Sequence, residues 1–221
     1  MGTPTADLTA AAQDYLKAIY ALESAGERVT TSALAARMRV SAPSATAMAK
    51  RLAELGLVER APYRGVVLTE EGRLAALEML RHHRLLERYL ADRLGLTLDQ
   101  VHAEADLLEH ALSEELEEKI DAELGYPTHD PHGDPIPDRE LRLEHGPGRT
   151  LVDLEPGGRA AVARVPDGDP ELLRYLTGLG LVPGAEVEVV SLAPFEGPVT
   201  VSTEQGDHAI SRELAGRISA A

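Results

Sequence analysis

The 29 residues from His82 to His110 constrain the fold most strongly, because they hold four of the eight histidines and space them against carboxylates at helical intervals. His83 and Glu87 lie four residues apart. A second set falls at relative positions 0, 4, 7 and 8: His102, Asp106, Glu109 and His110. Residues at such intervals share one face of a helix. The stretch therefore predicts two helices whose polar faces combine imidazole and carboxylate.

The mixture of side chains in this stretch indicates a metal site. Imidazole with carboxylate suits Mn(II), Fe(II), Co(II), Ni(II) or Zn(II), whereas Mg and Ca sites are built from oxygen alone. A single His–Glu pair is more often part of a solvated helix face, but six such residues on adjoining helices favour a transition-metal site. The chain has no cysteine, which excludes thiolate ligands and iron–sulfur clusters.

Length and composition fit two to three small domains, since 221 residues can form a core in each of them. The chain shows no arginine-led apolar segment at its start and no apolar run near 18 residues. We therefore expect a cytoplasmic protein without disulfides and without a membrane span.

The net charge of −15 is distributed unevenly along the chain. From Arg28 to Arg64, seven basic residues face only two acidic ones, whereas residues 91–221 carry 10 basic and 27 acidic residues. A small basic module is thus followed by an acidic remainder that a polyanion would repel. This distribution favours nucleic-acid binding by the basic module.

The basic module has the pattern of a helix-turn-helix. Apolar residues recur at three and four from Leu8 to Ser24, which predicts a first helix with Asp14 at the edge of its apolar face. A short helix, Ala33 to Met38, and a second one, from about Ser44 to Leu55, follow it. In a helix-turn-helix the second helix of the pair enters the major groove.

Two short apolar runs after Gly56 predict a β-hairpin, or wing. The module therefore presents short donors and cations that suit phosphates and base edges. The candidate DNA contacts are Thr31, Arg37, Ser41, Pro43, Ser44, Thr46, Lys50, Arg51, Arg60, Tyr63 and Arg64.

The middle of the chain predicts three helices: Thr69–Leu94, Thr97–Leu112 and Ser113–Leu124. Thr97 and Gln100 have the spacing of a capping box at the start of the second. The apolar residues of these helices exceed what so small a unit can hide, so we expect a homodimer interface.

Proline and glycine mark the rest of the chain. Five prolines from Tyr126 to Pro147 predict an extended linker, and we interpret His129 and His132 as linker residues. Short β-like runs follow, with one helix that begins at Asp169-Pro170-Glu171. These runs predict a small barrel-like domain.

Three segments in this order resemble a known family: RHHRLLER at 81–88, VHAEADLLEH at 101–110 and PHGDPIP at 131–137. Over nearly its whole length the chain resembles the iron- and manganese-dependent repressors of the diphtheria-toxin-repressor (DtxR/MntR) type. The run LGLVPG at 179–184 is similar to the signature of the FeoA-type module of the longer members. The resemblance implies a mainly α protein with a winged helix-turn-helix domain (1–73), a helical dimerisation and metal-binding domain with a Pro-rich linker (74–147), and an SH3-like β-barrel (148–221).

The resemblance also implies two metal sites and adds Ala47 to the DNA contacts. The ancillary site is matched by His83, Glu87 and His102, with Asp169 and Glu171 as candidate additions. The regulatory site is matched by Asp14, Asp106, Glu109 and His110. The family's iron sensors have Met and Cys at the Asp14 and Asp106 positions, where its manganese sensors have carboxylates. Mn(II) is therefore favoured over Fe(II), although Lys17 replaces a further carboxylate of the manganese pattern and Asp106 replaces the usual Glu.

These features predict a homodimeric transcriptional regulator, not an enzyme, that binds a palindromic DNA operator when loaded with Mn(II) and controls metal-homeostasis genes. Metal would neutralise the regulatory carboxylates and fix the spacing of two recognition helices at about 34–36 Å, one turn of DNA. The alternatives are an Fe(II)-dependent repressor, a metallohydrolase that activates water at the His/carboxylate site, and a module that acts through its FeoA-like part alone.

Overall fold

The structure is a computed structural model that describes residues 8–61, 65–144 and 148–221. Its contacts divide the chain into two compact units. The first is the described part of Met1–His82 with Glu109–Leu112 and Pro137–Leu143, and the second is His83–Leu108 with Ser113–Ile136 and the described part of Glu144–Ala221. The expected domain boundaries at 73/74 and 147/148 stay predictions.

The first unit contains the helix-turn-helix. Its helices are α1 (Ala10–Ser24), α2 (Thr31–Arg37) and α3 (Ala42–Glu54). Each begins after a hydroxyl side chain that accepts the backbone N–H three residues on, those of Thr9, Thr30 and Ser41. Their apolar faces meet in one core, whose largest fully buried side chains are Leu16, Ile19, Leu34 and Leu52. Buried residues at intervals of three and four, such as Ala45, Ala49 and Leu52 on α3, give each longer helix the apolar face that it packs into this core.

The predicted wing follows α3 as a hairpin in which β1 (Val58–Ala61) pairs antiparallel with β2 (Gly65–Leu68). Gly65 has a φ of 87°, and a Cβ on it would overlap the carbonyl oxygen of Val29. The backbone N–H of Val66 donates to that same oxygen at 2.9 Å. Only glycine therefore allows the hairpin to lie against the segment between α1 and α2.

Three further helices confirm the helical middle of the chain: α4 (Glu70–Leu94), α5 (Leu98–Leu108) and α6 (Glu114–Glu123). The capping prediction holds in part, since the N–H of Thr97 donates to Gln100 Oε1 at 3.1 Å. The second helix, however, ends earlier than predicted and continues as a 3₁₀ turn, Glu109–Ala111. A 3₁₀ turn has three residues per turn instead of 3.6, so the common helix face predicted for residues 102–110 ends at Leu108.

The apolar residues that suggested a dimer interface are mostly buried within the chain itself. Those with little exposure are Leu77, Leu85, Leu86, Leu90 and Val101. The large apolar side chains that α4, α5 and α6 do expose are Leu94, Leu107, Leu108 and Leu116. An interface between two copies would rest on this second set.

The Pro-rich segment differs from the extended linker that was predicted. Residues 130–133 form a turn, and His129 and Pro135 pair as an antiparallel bridge. The side chains of Asp130, His132 and Asp134 are buried. Five prolines exclude a helix here, as expected, but they leave the segment free to pack in the interior.

Gly133 makes this packing possible. Its φ is 90°, and a Cβ on it would overlap the carbonyl oxygen of Ala163. The N–H of Val165 donates to the carbonyl of His132 at 2.9 Å. The segment is thus hydrogen-bonded to the residue that directly follows the first strand of the carboxyl-terminal sheet, and its close approach to that strand requires glycine.

That sheet has five antiparallel strands in the order β6-β5-β4-β3-β7. Its elements are β3 (Gly158–Arg164), α7 (Pro170–Gly178), β4 (Glu186–Leu192), β5 (Val199–Thr203), β6 (Gly206–Ile210), α8 (Arg212–Ala215) and β7 (Ser219–Ala220). The sequence predicted β3, β4, β5 and α7; it missed β6 and β7, which are short and lack a clear apolar alternation. Among the described residues, no helix is both long and apolar enough to cross a bilayer.

Candidate metal centres and DNA-binding surface

Asp14, Glu109 and His110 come together in the first unit, and we call them the α1 cluster. Nε2 of His110 lies 3.1 Å from Asp14 Oδ1 and 3.8 Å from Glu109 Oε1. The side chain of Glu109 is 1% exposed and that of Asp14 38%, so the group opens to solvent on the α1 side. One imidazole and two carboxylates from α1 and the 3₁₀ turn thus converge with ligand atoms close enough for one ion.

The neighbouring Gln13 orients His110. Nδ1–H of His110 donates to Gln13 Oε1 at 2.7 Å, and Gln13 is itself buried. With Nδ1 engaged in this way, Nε2 is the ring nitrogen turned toward Asp14 and Glu109. A second partner of this kind commonly fixes the tautomer of a ligating histidine.

Lys17, one helical turn after Asp14, already occupies the Glu109 carboxylate. Its Nζ donates to Oε1 at 2.7 Å and to Oε2 at 2.8 Å. The sequence singled out Lys17 as a departure from the manganese pattern, and the structure shows what the departure does: it brings a cation to a buried carboxylate.

In the second unit, His83, Glu87 and His102 form what we call the helix cluster. His83 Nε2 lies 2.9 Å from Glu87 Oε1, and His102 Nδ1 lies 3.0 Å from each of these two atoms. Two nitrogens and one oxygen therefore form a nearly equilateral triangle. A hydrogen bond needs one proton between its two atoms. Wherever the protons of the two imidazoles are placed, at least one of the three pairs of atoms has either two protons or none between its members, so hydrogen bonds alone cannot satisfy all three pairs. One metal ion accepting all three lone pairs does satisfy it.

The size of the triangle bears on the kind of ion. Donors about 3.0 Å apart fit one face of an octahedron with metal–ligand distances of about 2.1 Å, the length usual for nitrogen and oxygen ligands. In a tetrahedron the same edge would need distances of about 1.8 Å, shorter than the usual Zn–N bond. Two histidines and one carboxylate on one octahedral face, with other positions open, are also the ligand set of non-haem Fe(II) sites.

Asp106 lies beside the helix cluster. Its Oδ1 is 3.3 Å from His83 Nδ1 and its Oδ2 is 3.7 Å from His102 Nε2. These are the ring nitrogens that face away from Glu87. His83, His102 and Asp106 also bring three ligand atoms within 4.8 Å of one another, so Asp106 is placed either as a ligand in this set or as the carboxylate that commonly supports a ligating histidine. The resemblance grouped Asp106 with Asp14, Glu109 and His110, and that assignment stays a prediction.

Glu87 also belongs to a third group, with Asp130 and His132, which we call the buried cluster. Its Oε2 lies 3.7 Å from His132 Nδ1. Nε2–H of His132 donates to the carbonyl of Leu98 at 2.9 Å, so Nδ1 is the nitrogen turned toward Glu87. Glu87 Oε2, His132 Nδ1 and Asp130 Oδ2 are buried without a hydrogen-bond partner among the described residues. Arg84 Nε lies 3.6 Å from Asp130 Oδ2, so a cation already faces that oxygen, whereas the facing atoms Glu87 Oε2 and His132 Nδ1 suit a bound cation.

The pKa values in this cluster are strongly shifted. Burial would raise the pKa of Glu87, but His102, His132 and His83 hold it well below its usual range. Burial, with repulsion from Glu87 and Asp134, raises the pKa of Asp130 to about 7. Burial would lower the pKa of His132, but attraction to Glu87 raises it to about 9. The metal-free cluster therefore holds protons that a metal ion would displace.

Sequence reasoning missed Asp130, His132 and Gln13 as site residues. His132 was assigned to the linker because prolines surround it. The available signal was its place in the PHGDPIP run, where a glycine between a histidine and an aspartate indicates a tight, packed turn rather than a spacer.

Asp169 and Glu171 stand outside these groups. Both are exposed, and neither belongs to a set of three close ligand atoms among the described residues. Asp169 caps α7, where its Oδ1 accepts the N–H groups of Glu171 and Leu172 at 2.9 and 3.4 Å. Their role as ancillary ligands stays a prediction.

The DNA candidates on α3 share its exposed face. Ala45, Ala49 and Leu52 face the core, which leaves the other positions to solvent. The exposed candidates are Arg37, Ser41, Pro43, Ser44, Thr46, Ala47, Lys50 and Arg51, with Thr31 partly exposed. Tyr63, Arg64 and the side chain of Arg60 lie outside what the structure describes.

Local hydrogen bonds engage several side chains of α3 that were predicted to donate to DNA. Ser41 and Ser44 pair their hydroxyl groups at 2.8 Å, and the Thr46 hydroxyl donates to the carbonyl of Ala42 at 2.9 Å. Lys50 and Glu54 form an exposed pair at 3.7 Å. Because Lys50 is engaged with Glu54, Arg51 is the strongest candidate on α3 for a phosphate contact.

Comparison with known proteins gives consistent matches along the chain. Residues 7–66 match the model of the iron-dependent repressor N-terminal DNA-binding domain, residues 69–138 that of the iron-dependent repressor metal-binding and dimerisation domain, and residues 149–221 the FeoA domain. The iron-dependent repressor IdeR of Mycobacterium tuberculosis is 37% identical over 187 residues, which are 79% of this chain and 81% of that protein.

Solved structures are similar over almost the whole chain. A manganese-dependent transcriptional repressor in complex with manganese has 40% identity and a TM-score of 0.84, and the match covers 95% of this chain and 98% of that one. The manganese regulator SloR has 32% identity and a TM-score of 0.78, with 95% and 97% covered.

Proposed function

This chain belongs to the iron-dependent repressor family of metal-dependent transcriptional repressors, and we propose that Mn(II) is the ion it senses, with Fe(II) as the alternative. The relatives and fold neighbours are repressors rather than enzymes, so the metallohydrolase interpretation is set aside. Names among them refer to both iron and manganese, and the choice between the two ions is therefore argued from the donor atoms of this chain.

The triangle of His83 Nε2, Glu87 Oε1 and His102 Nδ1, with edges of 2.9 to 3.0 Å, supports an octahedral ion, a geometry that Mn(II) and Fe(II) share. The observation that carries the choice between these two ions is the set of donor atoms in the α1 cluster. In the α1 cluster, two carboxylates and one imidazole supply mainly hard oxygen, and the chain has no thiolate. Hard donors with octahedral spacing suit Mn(II) better than a softer ion.

In this proposal Asp14, Glu109 and His110 hold the regulatory ion, with Asp106 added by resemblance, and His83, Glu87 and His102 hold the ancillary ion. Asp130 and His132 extend the ancillary site on the second oxygen of Glu87. Asp169 and Glu171 are retained as weaker candidates. A bound ion supplies positive charge that neutralises the carboxylates. Asp14 on α1 and Glu109 in the 3₁₀ turn would both be held by that ion.

The response to metal is repression of metal-homeostasis genes. Two copies, joined through the exposed leucines of α4, α5 and α6, present two recognition helices to a palindromic operator in the cytoplasm. Ion binding favours the DNA-binding arrangement by a shift of population, because the ion has a higher affinity for that state.

Gel-shift titration of an operator with Mn(II), Fe(II) under anaerobic conditions, and Zn(II) tests the proposal. Full DNA binding at the lowest free concentration of Mn(II), and incomplete binding at saturating Zn(II), is the expected result. A response to Fe(II) at lower free concentration than to Mn(II) would replace Mn(II) by Fe(II) in the assignment. DNA binding that is unaffected by all three ions would remove the sensor function.

A further inference from the structure

Lys17 and Glu109 form a close charged contact in the α1 cluster. The Lys17 ammonium bridges both carboxylate oxygens, at 2.7 and 2.8 Å, and the Glu109 side chain is 1% exposed. Lys17 itself is 22% exposed, so its ammonium lies at the edge of the cluster with a path to water. The pair therefore joins a buried anion to a cation on a flexible stem.

Two cations compete for this carboxylate. An ammonium held between both oxygens directs its protons at the lone pairs that a metal ion needs. A metal ion at Glu109, Asp14 and His110 would also repel the ammonium across a few ångströms of partly buried space. Metal and ammonium cannot both hold Glu109 in this way.

We propose that Lys17 is a tethered counter-cation that occupies Glu109 in the metal-free protein and that a metal ion must displace. Lys17 is a positioning residue: it keeps Glu109 at the ligand position without coordinating metal. The proposal rests on the α1 cluster being a metal site. Lys17 then sets the free metal concentration at which the protein responds.

Removal of the Lys17 ammonium should lower the stability of the metal-free protein but raise its affinity for metal, and these opposite effects distinguish the proposal from a purely structural role. In the metal-free protein the ammonium compensates a carboxylate that is costly to leave unpaired in the interior, so its removal destabilises that state. In metal binding the ammonium is a competitor, so its removal strengthens binding. A side chain that only supported the fold would weaken both when removed.

The displaced side chain has a place to go. Four methylene groups and partial exposure allow the Lys17 ammonium to turn into solvent while its stem keeps contact with the protein. The exchange therefore replaces one cation by another at Glu109 without leaving a buried charge unpaired.

The test compares Lys17→Met, which keeps the stem and removes the charge, with Lys17→Arg, which keeps the charge. Lys119→Met is the matched control, because Lys119 is an exposed lysine in an ordinary pair with Glu115. Mn(II) alone is titrated by calorimetry into each full-length variant, and thermal unfolding is recorded with and without Mn(II). The binding phase that is present in the wild type and absent from His110→Ala is assigned to the α1 cluster.

Lys17→Met should bind Mn(II) in that phase on the order of tenfold more tightly, while the Tm of the metal-free protein falls. Lys17→Arg should lie near the wild type, and Lys119→Met should change neither quantity. Unchanged or weaker Mn(II) binding by Lys17→Met overturns the counter-cation role. If His110→Ala removes no binding phase, the α1 cluster is not a metal site, and the proposed function fails at that site instead.

Discussion

Nδ1 of His132 and Oε2 of Glu87 face each other at 3.7 Å in the interior of the second unit, and neither has a hydrogen-bond partner among the described residues. The opposite oxygen of Glu87 lies in the triangle with His83 and His102. One carboxylate thus links the helix cluster to the Pro-rich segment.

Metal binding at the buried cluster should release protons and strengthen with pH. The pKa of His132 is raised to about 9 and that of Asp130 to about 7. A raised pKa means that the metal-free protein keeps the proton up to that pH, and metal must displace it. Below pH 7 about two protons should leave per ion, and between pH 7 and 9 about one. Calorimetry in buffers of different ionisation enthalpy counts them, and a pH-independent affinity in this range would contradict the assignment.

The same shift predicts how the metal-free fold responds to pH. His132 has a folded pKa above its unfolded value, so the stability from its pairing with Glu87 is fully present below about pH 6.5 and is lost as pH rises through about 9. His132→Gln should remove this part of the pH dependence. Urea unfolding of both proteins at pH 6, 7.5 and 9 measures it, and parallel pH profiles would show that His132 is not the responsible group.

Asp106 provides a test of which site controls DNA binding. Glu109→Ala should abolish Mn(II)-activated DNA binding, whereas His83→Ala should have a milder effect, because only the first removes a regulatory ligand. If Asp106 is regulatory, as the resemblance implies, Asp106→Ala should resemble Glu109→Ala. If it only supports His83, as its distance of 3.3 Å to Nδ1 suggests, it should resemble His83→Ala. Gel shifts with Mn(II) titration separate the two results, and circular dichroism checks that each variant is folded.

Arg51→Ala should weaken binding to all DNA sequences and lower the slope of log K against log salt by about one, because Arg51 is assigned to a phosphate. Arg159→Ala is the control, since Arg159 is also exposed but pairs with Glu188 on the carboxyl-terminal sheet. An Arg51→Ala protein with wild-type affinity and salt slope would show that α3 does not contact the backbone.

Gly133→Ala should destabilise the second unit by roughly 2–4 kcal/mol, because a Cβ at φ 90° would overlap the carbonyl of Ala163. Gly148→Ala, which meets no atom within 4 Å, should change stability by less than about 0.5 kcal/mol. Denaturant unfolding of the two variants compares them directly. Equal stabilities would show that the Pro-rich segment is not held against the sheet.

Helical periodicity predicted α1, α3, α4 and α6 to within two residues, because their apolar spacing and caps are local properties of the chain. The end of α5 could not be read in this way. Nothing in VHAEADLLEH marks Leu108 as the last α-helical residue, since the tightening at Glu109 accompanies contacts with α1 that lie more than 90 residues away in sequence. His132 was misread for the same reason: its burial depends on Leu98 and Glu87, which no local pattern connects to it.

The position of Glu87 has an evolutionary consequence. Because its two oxygens serve different partners, a substitution selected for its effect on the histidine triangle simultaneously alters the interior turn at 130–134. A substitution of Glu87 therefore cannot change one of these two sites without changing the other. Divergence in metal preference within this architecture should be found instead at Asp106, whose side chain is half-exposed and lies beside the ring nitrogens that face away from Glu87.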